Sequence, residues 1–207
     1  MFSKRLFKLP VKLPVKFPFK LLAKPPLALH SERLLLCLPK RQHWASWRNA
    51  RILSYETLQP VEPLWLEHMH ERHNFAGLIK RANVDLKQRR AVRCLIVLPQ
   101  TQEVIGGLNL SRLEWGAKKA GLLSYWLSST HHRQGYMREA LETMVSYAFD
   151  ELGLHRLEAE VMASNNASVR LLKNLGFAHE GRSYKSIKIV GKWQDHERYA
   201  LLNPNES

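Results

Sequence analysis

One stretch decides the fold: Ser124–Phe177, which reads SYWLSSTHHRQGYMREALETMVSYAFDELGLHRLEAEVMASNNASVRLLKNLGF. It predicts a strand, a short basic loop centred on Gly135, an amphipathic helix, a second strand and a second, shorter helix. A strand that leads through a glycine-containing turn into a helix N-terminus is suited to binding a phosphate group. Taken alone, one glycine at the start of a helix is also typical of an ordinary turn.

The first helix of this stretch has the clearest pattern. Apolar residues recur at intervals of three and four from Leu141 to Leu152, and Gly153 suits the C-cap. Residues 155–161 alternate between polar and apolar side chains, as a strand does. A strand, a crossover helix and another strand form a βαβ unit, so the two strands are predicted to be parallel neighbours.

The flanking sequence adds antiparallel strands. Residues 91–98 and 104–113 predict a hairpin, and residues 121–127 continue it as a meander. Residues 182–190 and 194–202 predict two further strands joined by a turn. The order of elements therefore predicts a mixed α+β fold.

The length of 207 residues suits one folded domain preceded by an arm. Residues 1–29 contain KLPVKLPVKFPFK, with seven basic residues, no acidic residue, and prolines that interrupt any helix. We expect this arm to be disordered or extended, and residues 30–207 to form the domain. The net charge of +14, and of +7 without the arm, favours anionic partners such as a ribosome, RNA or an acidic surface.

Cys37 and Cys94 lie in apolar runs without metal-ligand spacing, which predicts two buried thiols rather than a disulfide. The histidines are scattered, so no metal site is predicted. No run approaches the roughly 18 consecutive apolar residues of a membrane span. Because lysines also break the apolar core that a secretory signal needs, we predict a cytoplasmic location.

Several motifs resemble one known family. HRQGYMREAL, LGLHRLEAEV and NNASVRLLKNLGF are similar to the acetyl-CoA-binding core of the GNAT acetyltransferases. ERLLL, YETLQPVEPLW, GLNLSRL and GKWQDHERYALL resemble the Rim-type ribosomal-protein alanine N-acetyltransferases. The resemblance spans about Glu32–Leu202 and implies the GNAT fold, a twisted, mixed, mostly antiparallel sheet of six to seven strands flanked by about four helices.

The resemblance implies acetyl-CoA as co-substrate, with no metal. Backbone groups at the end of one strand would contact the pantetheine arm, and amides of the basic loop would hold the pyrophosphate. The family pattern of that loop is Arg or Gln, two residues, Gly, one residue, then Gly or Ala; this chain departs from it at His132 and Met137. The predicted donor-binding residues are Trp126, Leu127, Arg133, Gln134, Gly135, Tyr136, Met137, Arg138 and Asn165.

Direct attack of an amine on the thioester would require a base and a proton donor for the thiolate. An N-terminal α-amine has a pKa of about 8, so a modest base suffices. The resemblance implies Ser168 as the donor, although Asn165 and Ser168 would also suit an N-cap and a small packing residue. Glu180, Asp195 and Glu56 are candidate bases, and each also suits a solvated or structural carboxylate. A backbone N–H near residue 127 is expected to stabilise the oxyanion.

The acceptor side is less constrained. Tyr55, Glu56 and Trp65 lie in the irregular segment where the family builds its acceptor site, and Asn109 lies in GLNLSRL; we predict that these four bind substrate. The resemblance favours the N-terminal alanine amine of a ribosomal protein. A small amine, such as a polyamine, an amino acid or an aminoglycoside, is an alternative acceptor. A ribosome- or RNA-binding module without catalysis is a second alternative, although no aromatic platform or RNA-binding motif is recognisable.

Overall fold

A computed structural model describes residues 27–205 of the protein. The strands are β1 (Ala28–His30), β2 (Leu35–Cys37), β3 (Val92–Leu98), β4 (Glu103–Glu114), β5 (Ala120–Leu127), β6 (Arg156–Met162), β7 (Ala178–Ile189) and β8 (Lys192–Leu202). The α-helices are α1 (Trp44–Leu53), α2 (Tyr55–Leu58), α3 (Arg72–Lys87), α4 (Tyr136–Ser146) and α5 (Asn166–Asn174).

The strands form one mixed sheet in the order β1-β2-β3-β4-β5-β6-β8-β7. Only β5 and β6 pair in parallel within the described chain, and α4 connects them. The predicted α+β class, hairpin, meander and βαβ unit are therefore confirmed. Within the described residues, the sheet has eight strands and the fold has five α-helices, where six to seven strands and about four helices were expected.

Strand β1 accounts for part of this difference. It pairs with β2 through Ala28↔Cys37 and His30↔Leu35, and Leu27 just before it is buried. The sheet thus begins inside the last residues of the predicted arm, before the expected domain start at residue 30. The rest of that arm prediction, residues 1–26, lies outside the described residues.

Alternate side chains of β3 belong to two apolar clusters, so these clusters lie on opposite faces of the sheet. Cys94 packs with α4 residues such as Leu141, whereas Leu95 packs with Trp47 of α1 and Phe75 of α3. The helix predicted after the basic loop is α4 continued by one π-helical turn, Tyr147–Glu151.

The two cysteines are free and buried, as predicted. Burial raises the pKa of the Cys37 thiol and, more strongly, that of the Cys94 thiol. Both thiols therefore stay protonated at neutral pH. Among the described helices, none is both long and apolar enough to cross a membrane.

The strands β5 and β6 diverge after four paired residues. Their pairing ends at Leu123↔Ala159, while β5 stays paired with β4 as far as Leu127 and β6 stays paired with β8 as far as Met162. A gap therefore separates the two parallel strands, and it opens towards their C-terminal ends.

Candidate active site

A cleft of about 340 Å³ occupies the gap between β5 and β6. Tyr125 packs with the cluster on the α4 face, whereas its neighbour Trp126 packs with the cluster on the α1 and α3 face. Because both residues line the cleft, it passes through the sheet from one face to the other. The polar residues of its lining are Glu62, Asn109, Ser124, Tyr125, Glu160, Asn165, Ser168 and His196.

The basic loop ends at the N-terminus of α4. Gly135 is the N-cap residue, with φ 81° in the left-handed region, and Arg133 before it also has positive φ. The first hydrogen bond of the helix runs from the Glu139 N–H to the Gly135 carbonyl at 3.1 Å. The N–H groups before Glu139 therefore lack acceptors inside the helix, and with the helix dipole they favour an anion.

This loop is held by the turn between β1 and β2. The Arg33 guanidinium donates to the Gln134 carbonyl at 3.0 Å and to the Glu139 carboxylate at 2.7 Å, and it lies over the Tyr136 ring. Ser31 Oγ donates to the other Glu139 oxygen at 2.7 Å. Burial opposes ionisation of Glu139, but the hydrogen bonds from Ser31 and Arg33 prevail and lower its pKa. The sequence alone did not reveal Arg33, because its role depends on this long-range contact.

Trp126 and Leu127, predicted to offer backbone groups to the donor, lie in different surroundings at the end of β5. The Leu127 carbonyl already contacts His132 Nε2 at 3.2 Å, so it is engaged by the loop itself. Trp126 lines the cleft, and its indole lies directly on Gly107: a Cβ added to Gly107 would come within 2.4 Å of Trp126 Nε1. Gly107 therefore sets the position of the indole.

Asn165 and Ser168 lie together at the start of α5, and both line the cleft. Asn165 Oδ1 accepts a hydrogen bond from the Ser168 backbone N–H at 3.2 Å, so Asn165 is an N-cap as well as a cleft residue. Tyr125 lines the cleft together with Ser168. Burial raises the pKa of Tyr125 to about 12, an effect that the Ser168 hydroxyl opposes, so the phenol keeps its proton at neutral pH.

The predicted bases lie outside the lining of the cleft. Glu180 forms an ion pair with Arg156, and Asp195 accepts a hydrogen bond from the Lys185 N–H at 2.8 Å. Glu56 is exposed on α2. The structure therefore brings Ser168, but not these three carboxylates, to the cleft.

Glu160 and His196 also line the cleft, and neither was singled out from the sequence. Glu160 lies on β6 immediately after the last residue paired with β5, and His196 faces it from β8, where it pairs with Met162. The Nδ1 atom of the buried His196 ring contacts the Gln194 carbonyl at 3.2 Å and the Ser186 hydroxyl at 3.3 Å. In the neutral tautomer that donates to the carbonyl, Nδ1 carries the proton and Nε2 is an acceptor. The sequence does not reveal either residue, because Glu160 depends on where the β5–β6 pairing ends and His196 on the β6–β8 pairing.

On the α1 and α3 face of the sheet, Arg51 organises the wall of the cleft. Its buried guanidinium lies between the rings of Trp65 and Trp126, at 4.3 and 4.9 Å from their centroids. It donates two hydrogen bonds to Glu62, at 2.8 and 2.5 Å, and Trp65 Nε1 donates to the same carboxylate. This arrangement fixes Glu62 at the wall of the cleft and neutralises its charge.

The predicted acceptor residues are placed around this unit. Trp65 belongs to it, and Tyr55 contacts the Trp65 ring edge-on, 5.3 Å between centroids, from an exposed position. Asn109 lines the cleft directly. Glu56 does not belong to the lining. No group of three or more potential metal ligands occurs in the described part of the chain.

Comparison with known proteins decides the family. Residues 33–178 match the model described as an acetyltransferase (GNAT) domain. This chain belongs to the GNAT acetyltransferase family. The [ribosomal protein uS5]-alanine N-acetyltransferase of Escherichia coli is 30% identical, over 87% of this chain and 93% of its own length. The probable N-acetyltransferase YjcK of Bacillus subtilis is 43% identical over 103 residues, 50% of this chain and only 57% of the relative.

Solved structures agree with the GNAT fold. Mycobacterium smegmatis RimJ in complex with CoA-disulfide superposes with a TM-score of 0.80 at 24% identity, covering 86% of this chain and 88% of that one. The ribosomal-protein-S5-alanine acetyltransferase of Vibrio fischeri gives 0.81 at 24% identity, covering 87% and 99%.

As a GNAT acetyltransferase, the protein uses acetyl-CoA as its acetyl donor. The geometry suits this co-substrate, because the start of α4, whose free N–H groups favour an anion, follows β5, the strand that forms one side of the gap through the sheet. Amides of residues 133–138 would hold the pyrophosphate, and the gap would admit the pantetheine arm as far as Ser168 and Tyr125.

Proposed function

We propose that this GNAT acetyltransferase transfers the acetyl group to the N-terminal amine of a ribosomal protein, with alanine as the terminal residue. The observation that carries this proposal is the likeness to the uS5-alanine N-acetyltransferase, which extends over nearly the whole length of both chains. The positive charge of the chain is in keeping with a ribosomal acceptor, which would be met in the cytoplasm.

The cleft gives donor and acceptor separate approaches. The donor would enter from the α4 and α5 side, and the acceptor from the side walled by Leu58, Val61 and Pro63. The amine then meets the thioester carbonyl within the gap and attacks it directly. A protein N-terminus can enter such a gap because it is a single extended chain end.

Glu160 is the best placed proton acceptor for the amine. It lines the cleft, whereas the charge of the other cleft carboxylate, Glu62, is compensated by Arg51. His196 lines the same wall, and in the tautomer whose Nδ1 donates to the Gln194 carbonyl its Nε2 is a second acceptor. An amine with a pKa of about 8 is already partly neutral at pH 7, so a weak base such as Glu160 or His196 is sufficient to accept its proton.

Ser168 and Tyr125 would stabilise the departing thiolate. Both side chains line the cleft, and the raised pKa of Tyr125 keeps its proton available as a hydrogen-bond donor. The oxyanion would be held by a backbone N–H near Leu127, at the divergent end of β5. No covalent acetyl-enzyme is required, since the amine attacks the thioester itself.

A polyamine acceptor is the alternative that a relative suggests. The spermidine N(1)-acetyltransferase of Vibrio cholerae is 24% identical, over 72% of this chain and 75% of its own length. A polycation, however, would need several uncompensated carboxylates, and the cleft lining offers Glu160 beside an already paired Glu62. This charge pattern favours a singly charged chain end.

The test is a competition between acceptors. Purified protein and acetyl-CoA are incubated with ribosomal proteins, with peptides of their N-termini and with spermidine, and products are identified by mass spectrometry. We expect one acetyl group on the α-amine of alanine-initiated peptides. Acetylation of spermidine or of lysine side chains alone would refute the proposed acceptor, and RNA binding without turnover would favour a non-catalytic module.

A further inference from the structure

A second cavity, of about 400 Å³, lies beside the cleft on the α1 and α3 face of the sheet. It shares Asn109 and Trp126 with the cleft, so the indole of Trp126 separates the two. The donor-binding loop and the residues around Ser168 do not line it. A group in this cavity would therefore belong to the acceptor rather than to acetyl-CoA.

The polar lining of this cavity suits an anion. Arg81 of α3 and Arg93 of β3 contribute guanidinium groups, Asn74 and Asn109 contribute amides, and no carboxylate is among its described lining residues. Arg93 donates through Nε to Asp85 at 2.8 Å, and Arg90 donates to the other oxygen of the same buried carboxylate. Asp85 therefore holds Arg93 from one side, and its charge is shared between Arg93 and Arg90. The two remaining guanidinium nitrogens of Arg93, together with Arg81, leave the cavity positively charged.

A glycine inside α3 keeps this cavity open. Gly77 lies in the middle of the helix, where glycine is unfavourable, and a Cβ added to it would meet nothing within 4 Å. No close approach of another element explains the glycine. Because Gly77 lines the cavity, its missing side chain leaves space where another residue would project.

We propose that this cavity is the subsite for a carboxylate side chain near the N-terminus of the acceptor, bound by Arg81 and Arg93. The inference rests on the proposed function, because the acceptor must be a chain that continues beyond the acetylated amine. Successive residues of an extended chain rise by about 3.3 Å, so a residue soon after the amine can pass Trp126 and reach the cavity. The protein would thus select acceptors by an acidic residue as well as by the terminal amine.

The experiment uses alanine-initiated peptides that carry Glu, Gln or Lys at each of the first positions after alanine. At the preferred position, we expect a KM about five- to tenfold lower for Glu than for Gln, the range of a charge-assisted contact at a partly exposed site. Arg81→Glu should invert the order so that Lys is preferred. Lys80→Glu makes the same charge change on the preceding residue of α3, which is outside the lining, and should keep the preference for Glu.

A second pair of variants tests the space instead of the charge. Gly77→Leu should fill the cavity and abolish the preference, whereas Gly77→Ala should keep it. Arg93 is left unchanged, since its partner Asp85 is buried and the variant could unfold. The KM for acetyl-CoA should not change in any of these four variants.

The outcomes separate this subsite from the proposed function. Transfer to all peptides with equal KM, or a preference that Arg81→Glu and Lys80→Glu alter equally, overturns the subsite and leaves the proposed function standing. If no peptide is acetylated, the proposed function fails, and binding of N-acetylated Glu and Gln peptides, followed by tryptophan fluorescence, decides the subsite. Tighter binding of the Glu peptide that Arg81→Glu removes supports it; equal or absent binding overturns it.

Discussion

Gly135 offers the sharpest test of the donor site. It begins α4 with φ 81°, a backbone conformation that residues other than glycine rarely adopt. A Cβ at this position would lie 3.3 Å from Arg33 Nη2. Because Arg33 is tied to Glu139 and to the Gln134 carbonyl, the guanidinium cannot withdraw without loosening the loop. Gly135→Ala should therefore disturb the N–H groups that we assign to the pyrophosphate.

Gly153 provides the matched control. It has φ 64°, a Cβ there would meet nothing within 4 Å, and it lies after α4, outside the cleft lining. Each alanine variant should lower the free energy of unfolding by about 1–2 kcal/mol, the cost of a left-handed alanine. Only Gly135→Ala should also weaken the donor site. Urea denaturation measures the shared loss of stability.

Steady-state kinetics with two donors separates the site from general damage. With acetyl-CoA, we expect Gly135→Ala to raise KM about five- to tenfold, or about 1 kcal/mol, and Gly135→Glu to raise it further by adding bulk and charge. With acetyl-pantetheine, which has no pyrophosphate, Gly135→Ala and Gly153→Ala should perform alike. An equal loss with both donors would show that the loop does not hold the pyrophosphate.

Three further perturbations test other parts of the structure. Ser168→Ala should lower kcat about 10²-fold with little change in KM, as expected for a group that assists the leaving thiolate; an unchanged kcat would reduce Ser168 to packing. Gly107→Ala should displace the Trp126 indole and destabilise the fold by about 1–3 kcal/mol, measured by denaturation with tryptophan fluorescence, because its Cβ would come within 2.4 Å of Nε1; wild-type stability would contradict the packing described. Glu139→Gln should be less stable than wild type at neutral pH, and the difference should shrink as pH falls below the ordinary glutamate value of 4.5, because the pKa of Glu139 is lowered in the folded state; a difference that persists at low pH would exclude this linkage.

Local pattern was sufficient for most elements of the fold. The apolar spacing in α4, the alternation in β6 and the N-cap at Asn165 are properties of neighbouring residues, and the structure has each of them. Strand β1 was missed because three residues carry too little periodicity, and pairing with β2 is what makes them a strand. Its neighbours Ser31 and Arg33 were missed for the same reason.

In the candidate site, too, local features could be predicted from the sequence and long-range contacts could not. The start of α4 could be inferred from Gly135 and the surrounding basic residues, since a helix N-terminus is a local feature. Which carboxylate enters the cleft could not be inferred, because Glu180 is turned to Arg156 while Glu160 follows the end of a pairing between distant strands. The cavity bounded by Arg81 and Arg93 likewise combines α3 with the sheet, and its residues are far apart in the sequence.

Mass spectrometry of an alanine-initiated ribosomal peptide, after incubation with the protein and acetyl-CoA, tests the central claim most directly. The account predicts one acetyl group on the α-amine with release of free CoA, and loss of this product when the peptide is already blocked at its N-terminus. Transfer that continues unchanged on the blocked peptide, or no transfer to any N-terminal amine, would contradict it.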